Sequence, residues 1–360
     1  MSAHEILIAV MAVFALLGAL DRILGNRFGL GKEFENGIQA MGPLALAMLG
    51  IISIAPVLAS VLKPMVVPVF SFLGADPAMF AGSLLACDMG GGPLAMELTE
   101  NIDAALLGGI ITGSMLGATI VFTIPAAMGI LNTEDHPPMA KGILCGIVTI
   151  PVGVLAGGLV AGFPALMVLR NLIPIVLLAA LIALGLWKAE KAMVKGFVVF
   201  GKAVTALITV GLAAAILEAL TGWVIIPGME PISTGFETVG AIAIVLAGAF
   251  PLVYAVTKIF RKPLLKLGKL LGINDAAAAG LVATLANSIA TLGLVKDMDN
   301  RGKVVNIAFA VSAAFVFGDH LGFTAGFAPE MLPGMIAGKL VGGAAAVVLA
   351  LLLTKKNKQS

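Results

Sequence analysis

Four stretches of this chain, Ile38 to Leu62, Ala104 to Thr133, Gly142 to Leu169 and Ala276 to Val295, run without one Asp, Glu, Lys or Arg. Some 20 mainly apolar residues suffice for a helix to cross a hydrocarbon layer of roughly 30 Å. The rest of the composition agrees: 60% of the 360 residues are hydrophobic, 12% are charged, and the mean hydropathy is +1.09. A chain with so little polar surface cannot use water as its main solvent. An unpaired backbone amide in lipid costs several kcal/mol, so continuous runs of this length must be helices rather than barrel strands.

Apolar runs bounded by charge, Gly or Pro lie near 5–24, 38–62, 77–98, 104–130, 142–163, 166–187, 197–219, 237–257, 276–296, 304–327 and 333–353. The expectation is an all-α, polytopic helical membrane protein of about ten or eleven hydrophobic segments, the first a retained span. The positive-inside rule places Lys63, Lys141, the group Lys188, Lys191 and Lys195, and the cluster Lys258, Arg261, Lys262, Lys266 and Lys269 on the cytoplasmic side. Arg22, Arg27 and Lys32 then fall on the wrong side. With eleven full crossings so does the tail with Lys355, Lys356 and Lys358, so one segment is expected to be re-entrant or miscounted.

Ordered landmarks recur about two hundred residues apart. Phe34-Glu35, Lys63-Pro64, Leu73-Gly74-Ala75-Asp76 and Ala81-Gly82 are answered by Phe236-Glu237, Lys262-Pro263, Leu271-Gly272-Ile273-Asn274 and Ala279-Gly280. This predicts an internal repeat in one transmembrane transport domain, 1–360. Its halves are roughly 1–130 and 197–327, with linking spans 142–187 and a final span 333–353. Transporters commonly place their solute between such repeats, on interrupted helices near mid-membrane.

Polar groups inside the apolar segments are the informative ones, because an ionisable group at mid-membrane costs ~3 kcal/mol and persists where it faces a partner or a wet cavity. Asp88 stands before Gly90, Gly91, Gly92 and Pro93, residues that break helices and free backbone groups. Such a site suits an ammonium or another small cation. In the second half Asn287 and Ser288 occupy the matching region and offer neutral partners for a hydroxyl. Asp319 and His320, flanked by glycines, could orient a cation or relay a proton. Their counterparts Ser114 and Thr119 sit among Gly113 and Gly117, small residues that let a solute approach backbone. The Gly153 with Gly157 and Gly338 with Gly342 spacings read as close helix packing. Trp187 and Trp223 read as interfacial anchors.

Net charge is only +2 with no basic face, which excludes nucleic acid as a partner. His4, His136 and His320 lack metal-ligand spacing, and no phosphate loop or nucleophile elbow is present. Neither enzyme chemistry, nor a cofactor, nor a metal is therefore expected. Partners reduce to an ammonium or another small cation, the lipid bilayer and, among the open oligomeric states, a homo-oligomer.

Several motifs resemble the ethanolamine utilization permease family, in order and over nearly the whole chain. They are Ala86-Cys87-Asp88-Met89-Gly90-Gly91, Gly113-Ser114-Met115 with Thr119-Ile120-Val121-Phe122, Ala283-Thr284-Leu285-Ala286-Asn287, and Ala310 to Phe315 with Gly318-Asp319-His320-Leu321-Gly322-Phe323. The resemblance implies an inner-membrane transporter that brings ethanolamine into cells which degrade it through a cobalamin-dependent lyase. The chain departs from the family pattern at the tight Gly162-Phe163-Pro164 connection, at Gly92-Pro93 and after Asn287. One cationic head and one hydroxyl would be matched by Asp88 and by Asn287 with Ser288; Phe317 and Phe323 could add a weak cation–π contribution. A channel-like pore for ammonium or another small cation is the alternative, and uniport or ion-coupled transport both remain open.

Overall fold

The structure is a computed structural model that describes residues 2–354; the side chains of 260–262, 264–267 and 269 lie outside the described set. Arg261, Lys262, Lys266, Lys269, Lys355, Lys356 and Lys358 of the expected basic groups therefore lie outside it. Among the described residues everything regular is helical. In chain order the α-helices are α1 (Ala3–Ile23), α2 (Leu30–Gln39), α3 (Met41–Phe72), α4 (Ala78–Leu84), α5 (Gly91–Leu98), α6 (Ile102–Leu106) and α7 (Ile124–Ile130). They continue with α8 (His136–Val160), α9 (Ala165–Thr221), α10 (Ile232–Leu271), α11 (Asp275–Ala286), α12 (Ser288–Leu294), α13 (Asn300–Ala313), α14 (Asp319–Phe327) and α15 (Leu332–Leu353). Between α6 and α7 the chain winds in π-helical turns, Leu107–Gly117 and Thr119–Thr123, so 102–130 is one unbroken helical stretch.

Two segments that looked like spans return to where they started. At the first, the Thr99 hydroxyl donates to the Asp76 carboxylate at 3.0 Å, and Asp76 also accepts from the Ala78 amide that opens α4. Residues on either side of the α4–α5 pair are thus tied together at one level. At the second, the Asn274 carboxamide donates to the Asp297 carbonyl at 2.9 Å while its oxygen caps α11 through the Ala277 amide. Both pairs are helical hairpins that dip into the bundle. Their tips are the break at Leu85–Gly90, which carries the 3₁₀ turn Cys87–Met89, and the extended Asn287.

The packing of α8 on α15 fixes the crossing count. Gly153 faces the Gly338 carbonyl and Gly157 faces the Gly334 carbonyl so closely that an added Cβ would lie 2.7 and 2.8 Å away. Because the lower number on one helix meets the higher on the other, the two helices run antiparallel. Between them lie α9, which a non-helical Ala189 (φ −142°, ψ 45°) divides into two arms, then α10, the second hairpin, and α13 with α14. If the second hairpin crossed the membrane, α8 and α15 would be parallel. They are antiparallel only when it is re-entrant.

The expected ten or eleven spans are corrected accordingly. Seven helical stretches are long and apolar enough to cross, one of them the two-armed 165–221. Adding the second arm and the interrupted 300–327 gives nine crossings, and the segments at 77–98 and 276–296 are hairpins. Their apolar length equals that of a span because both arms of a hairpin lie in the same apolar surroundings, and hydropathy cannot separate one pass from two half-passes.

Counting nine crossings also sorts the charge. Of the basic side chains, Arg22, Arg27, Lys32, Lys141, Lys188, Lys191, Lys195, Lys202, Lys258, Lys296, Arg301 and Lys303 fall on one side, while acidic residues lie on both. The misplacement of Arg22, Arg27 and Lys32 disappears, and only Lys63 and Arg170 dissent. By the positive-inside rule the basic side is cytoplasmic. Contacts across loops agree: Lys303 pairs with Asp135, Lys141 donates to the Leu353 carbonyl and Arg301 to the Thr354 carbonyl, all at the basic end.

The prediction is that a cysteine replacing Glu100 reacts with a membrane-impermeant maleimide on intact cells, while one replacing Lys296 reacts only after permeabilisation. Native Cys87 and Cys145 are buried and give little background. Labelling of both positions from the same side would contradict the two opposed hairpins.

Candidate functional site

The two hairpin tips meet. A cavity of about 390 Å³ lies between them, lined by Asp88 and Met89 of the first tip and Asn287 of the second. Asp319 and His320 close it from the interruption before α14, and Phe122, Phe250 and Phe315 supply aromatic faces. Ala40, Pro43, Leu44 and Ala47 form the remaining apolar wall. A second crevice of about 140 Å³, lined by Leu7, Met11, Phe317 and Leu321 among others, has no charged residue in its lining and nothing to orient a cation.

Each functional side chain owes its position to a local break. Gly90 adopts φ +105°, a left-handed conformation open to glycine, and ends the turn that carries Asp88. The interruption covers Leu85–Gly90, so Gly91, Gly92 and Pro93 form the first turn of α5 rather than the gap itself. Proline is tolerated there because first-turn amides have no intrahelical partner to lose. At the second tip Asn287 is extended (φ −156°, ψ 120°), and its carboxamide oxygen caps α12 by accepting from the Ile289 amide at 2.8 Å. That leaves the amide hydrogens of its side chain free to donate. The Thr284 and Thr291 hydroxyls, 2.8 Å apart, clamp the two arms behind it.

The third break, Ala314–Gly318, is held by the second hairpin. The Phe315 and Phe317 amides donate to the Thr284 and Leu285 carbonyls at 3.1 and 2.9 Å, which satisfies backbone groups that the interruption would orphan. Phe315 takes φ +62°, strained for an aromatic residue, and its ring packs 5.3 Å from the His320 ring and 5.4 Å from Phe122.

Of the residues singled out in the sequence, Asp88, Asn287, Asp319 and His320 converge on this cavity. Ser288 is fully buried behind its tip, its hydroxyl without a protein partner. Ser114 and Thr119 face elsewhere: the Ser114 hydroxyl donates to the Ile111 carbonyl, and Thr119 to the Met115 and Val311 carbonyls at 2.7 and 3.0 Å. Phe317 lines the apolar crevice and Phe323 stacks on Phe327, so the aromatic faces at the cavity come from Phe122, Phe250 and Phe315 instead. Arg22 pairs with Glu35 at 2.5 Å, and Asp21 accepts from the Phe28 and Gly31 amides, away from the cavity.

Sequence reasoning missed Lys339. It lies in α15, seven residues past the helix start and only 1% exposed. Its ammonium donates to the Ser114 carbonyl at 2.5 Å and reaches His320 Nδ1 at 3.0 Å. His320 Nε2 in turn stands 3.8 Å from Asp88 Oδ1. The signal was present, a lysine inside an apolar span, but the flanking Gly338 and Gly342 drew the segment into a packing interpretation.

Cys87, Asp88 and His320 bring three potential ligand atoms within 4.8 Å of one another. A metal-bound imidazole needs an acceptor on its other nitrogen, whereas His320 Nδ1 faces the donor Lys339. With that nitrogen turned to a donor, the cluster is poorly matched to a metal ion.

The chain matches the family model described as ethanolamine utilisation protein, EutH, over residues 3–353. A probable ethanolamine permease EutH of Listeria monocytogenes serotype 1/2a (strain 10403S) is 60% identical, the alignment covering 99% of this chain and 97% of the relative. The chain belongs to the EutH family. The probable ethanolamine permease EutH of Salmonella typhimurium (strain LT2) is 47% identical over 99% of this chain and 97% of its own length. An uncharacterized protein, YxeR, of Bacillus subtilis (strain 168) is 52% identical over 98% and 96%. No solved structure matches.

The placement of the second tip of this EutH-family chain predicts a reactivity contrast. Asn287→Cys is exposed to the cavity and reacts with a small ammonium-bearing methanethiosulfonate at least about tenfold faster than Ser288→Cys, which is fully buried. Comparable rates at both positions would show that the tip does not face a wet cavity.

Proposed function

We propose that this protein is a permease of the cytoplasmic membrane that carries protonated ethanolamine into the cell, and that it is not an enzyme. The observation that carries the reading is the charge of the site. With both carboxylates ionised and Lys339 protonated, Asp88, Asp319 and Lys339 sum to one uncompensated negative charge in a cavity walled by apolar residues. One monovalent cation balances it. Buried charges are retained where they are paired, and an ammonium group is the partner the geometry leaves room for.

A four-heavy-atom amino alcohol fits the remaining groups. Its ammonium would sit on Asp88 near the faces of Phe122, Phe250 and Phe315, and its hydroxyl would accept from the free side-chain amide of Asn287. The Listeria and Salmonella relatives, named probable ethanolamine permeases, support ethanolamine as the solute. An ammonium pore is less favoured, because the cavity is shaped by two capped hairpin tips rather than by a continuous row of polar groups.

The two hairpins belong to repeated halves in our reading, roughly 1–130 and 197–327. Asp76 and Asn274 are 198 residues apart, as are Thr99 and Asp297, and each pair ties the feet of its hairpin. The repeat extends beyond those bounds: one 3₁₀ turn precedes α8 at Thr133–Asp135 and another precedes α15 at Pro329–Met331. Since α8 and α15 are antiparallel, the halves are inverted about a pseudo-two-fold axis in the membrane plane, the arrangement in which alternating access arises by rocking one repeat against the other.

Removing the charge of Asp88 tests the site. Asp88→Asn should lower uptake of radiolabelled ethanolamine into proteoliposomes at least about thirtyfold at limiting concentration, from the roughly 2 kcal/mol or more that truncating a buried charge partner costs. Wild-type uptake by a properly inserted Asp88→Asn protein would remove Asp88 from the binding site.

A further inference from the structure

The groups around Asp88 form a continuous line: Lys339 Nζ lies 3.0 Å from His320 Nδ1, and His320 Nε2 lies 3.8 Å from Asp88 Oδ1. Lys339 can only donate. Its hydrogen bond therefore makes Nδ1 the acceptor and leaves the imidazole proton on Nε2, pointing at the Asp88 carboxylate. A closure of roughly 1 Å would bring Nε2 into hydrogen-bond range. This orientation is wasted if His320 merely braces helices, but it is what a proton relay requires.

Loss of the solute creates the need for one. When an ammonium leaves, Asp88 remains as an unpaired carboxylate in a cavity that must close and reorient. An uncompensated ion in such a place is the costliest state of the cycle. We propose that Lys339 and His320 deliver a proton to Asp88 as the amine departs, so that the carrier exchanges one ammonium for one proton. Lys339 Nζ gives a proton to His320 Nδ1 while His320 Nε2 gives its own to Asp88 Oδ1. A proton from cavity water on the open side then enters at His320 Nε2, which lines the cavity, while Nδ1 returns its proton to Lys339 Nζ, so that the lysine and the starting imidazole tautomer are both restored. Counting Asp319 as ionised, the cluster is neutral with the ammonium bound and neutral again with Asp88 protonated.

The surrounding groups fit this role. Asp319 opens α14, whose N-terminus favours a negative charge, and it lines the same cavity as Asp88. The Cys87 thiol lies 4.0 Å from Asp88 Oδ1. Among the described residues, α8, α10, α13 and the π-helical stretch Leu107–Gly117 bring no charged side chain into the lining of this cavity; from that stretch Lys339 meets only the Ser114 carbonyl. The ionisable groups beside the relay are thus Cys87 and Asp319.

This proposal rests on the ethanolamine-carrier reading, and two fluxes separate the two. In proteoliposomes, counterflow of labelled ethanolamine needs only the loaded carrier, whereas net uptake into amine-free vesicles needs the discharged carrier to return. Lys339→Arg keeps the positive charge but cannot hand on a proton. It should lower net uptake at least about tenfold more than it lowers counterflow. Equal retention of both, or equal loss of both in a monodisperse variant that still shows a thermal shift with ethanolamine, would overturn the relay.

Wild-type protein provides a measurement that does not depend on a variant folding. An ethanolamine jump on proteoliposomes adsorbed to a solid-supported membrane should show amine flux with no sustained current, since the exchange is electroneutral. A current matching the amine flux would overturn the exchange while leaving the carrier intact. Wild-type vesicles with neither counterflow nor uptake above protein-free controls would instead reject the carrier reading itself.

Discussion

The arrangement of this protein follows from a balance of charge where lipid would otherwise forbid it. Asp88 and Asp319 stand in a segment of the chain that the surrounding composition commits to the membrane, and Lys339 is buried beside them. Isolated, each would be expelled or neutralised at a cost of a few kcal/mol. With all three ionised they leave a deficit of one positive charge, and in the proposed carrier the cavity at the two hairpin tips is where a solute makes it good. On that proposal, selectivity for a small monocation follows from the same electrostatics that lets the helices insert.

Holding those groups at one point requires backbone that is not helical, and non-helical backbone in a membrane must be satisfied by protein. The chain does so by setting its interruptions against each other. Carbonyls of Thr284 and Leu285 at the end of α11 receive the amides of Phe315 and Phe317 from the gap before α14. Gly90 allows the first tip to turn, and the Asn287 side chain caps the helix that leaves the second. Around this interrupted centre the frame is tight. The α8–α15 seam brings backbones into contact through Gly153, Gly157, Gly334 and Gly338, a packing that gains its energy from close van der Waals approach where lipid offers no hydrophobic drive.

A good part of the site was legible from residue type alone. Asp88, Asn287, Asp319 and His320 attracted notice because polar side chains amid long apolar runs need a reason, and all four face one cavity. Ser114 and Thr119 satisfied the same criterion yet spend their hydroxyls on carbonyls within the helices, a use that sequence cannot distinguish from solute contact. Lys339 went unnoticed among glycines. The aromatic faces were assigned to Phe317 and Phe323, whereas Phe122, Phe250 and Phe315 hold that place, because which side of an interrupted helix faces the cavity depends on the backbone angles at the interruption.

By itself, the sequence determined that this is a helical membrane protein with charged groups in sheltered positions, since both conclusions depend only on the price lipid sets on polar surface. It also carried the landmarks of duplication. Tertiary structure alone decided that two of the eleven apolar segments are re-entrant, because a hairpin and a span have the same hydropathy and differ only in whether their ends meet. It likewise decided which charges act together: Ser114, His320, Lys339 and Asp88 are far apart in the chain, and their distances are set by how α14, α15 and the first hairpin pack.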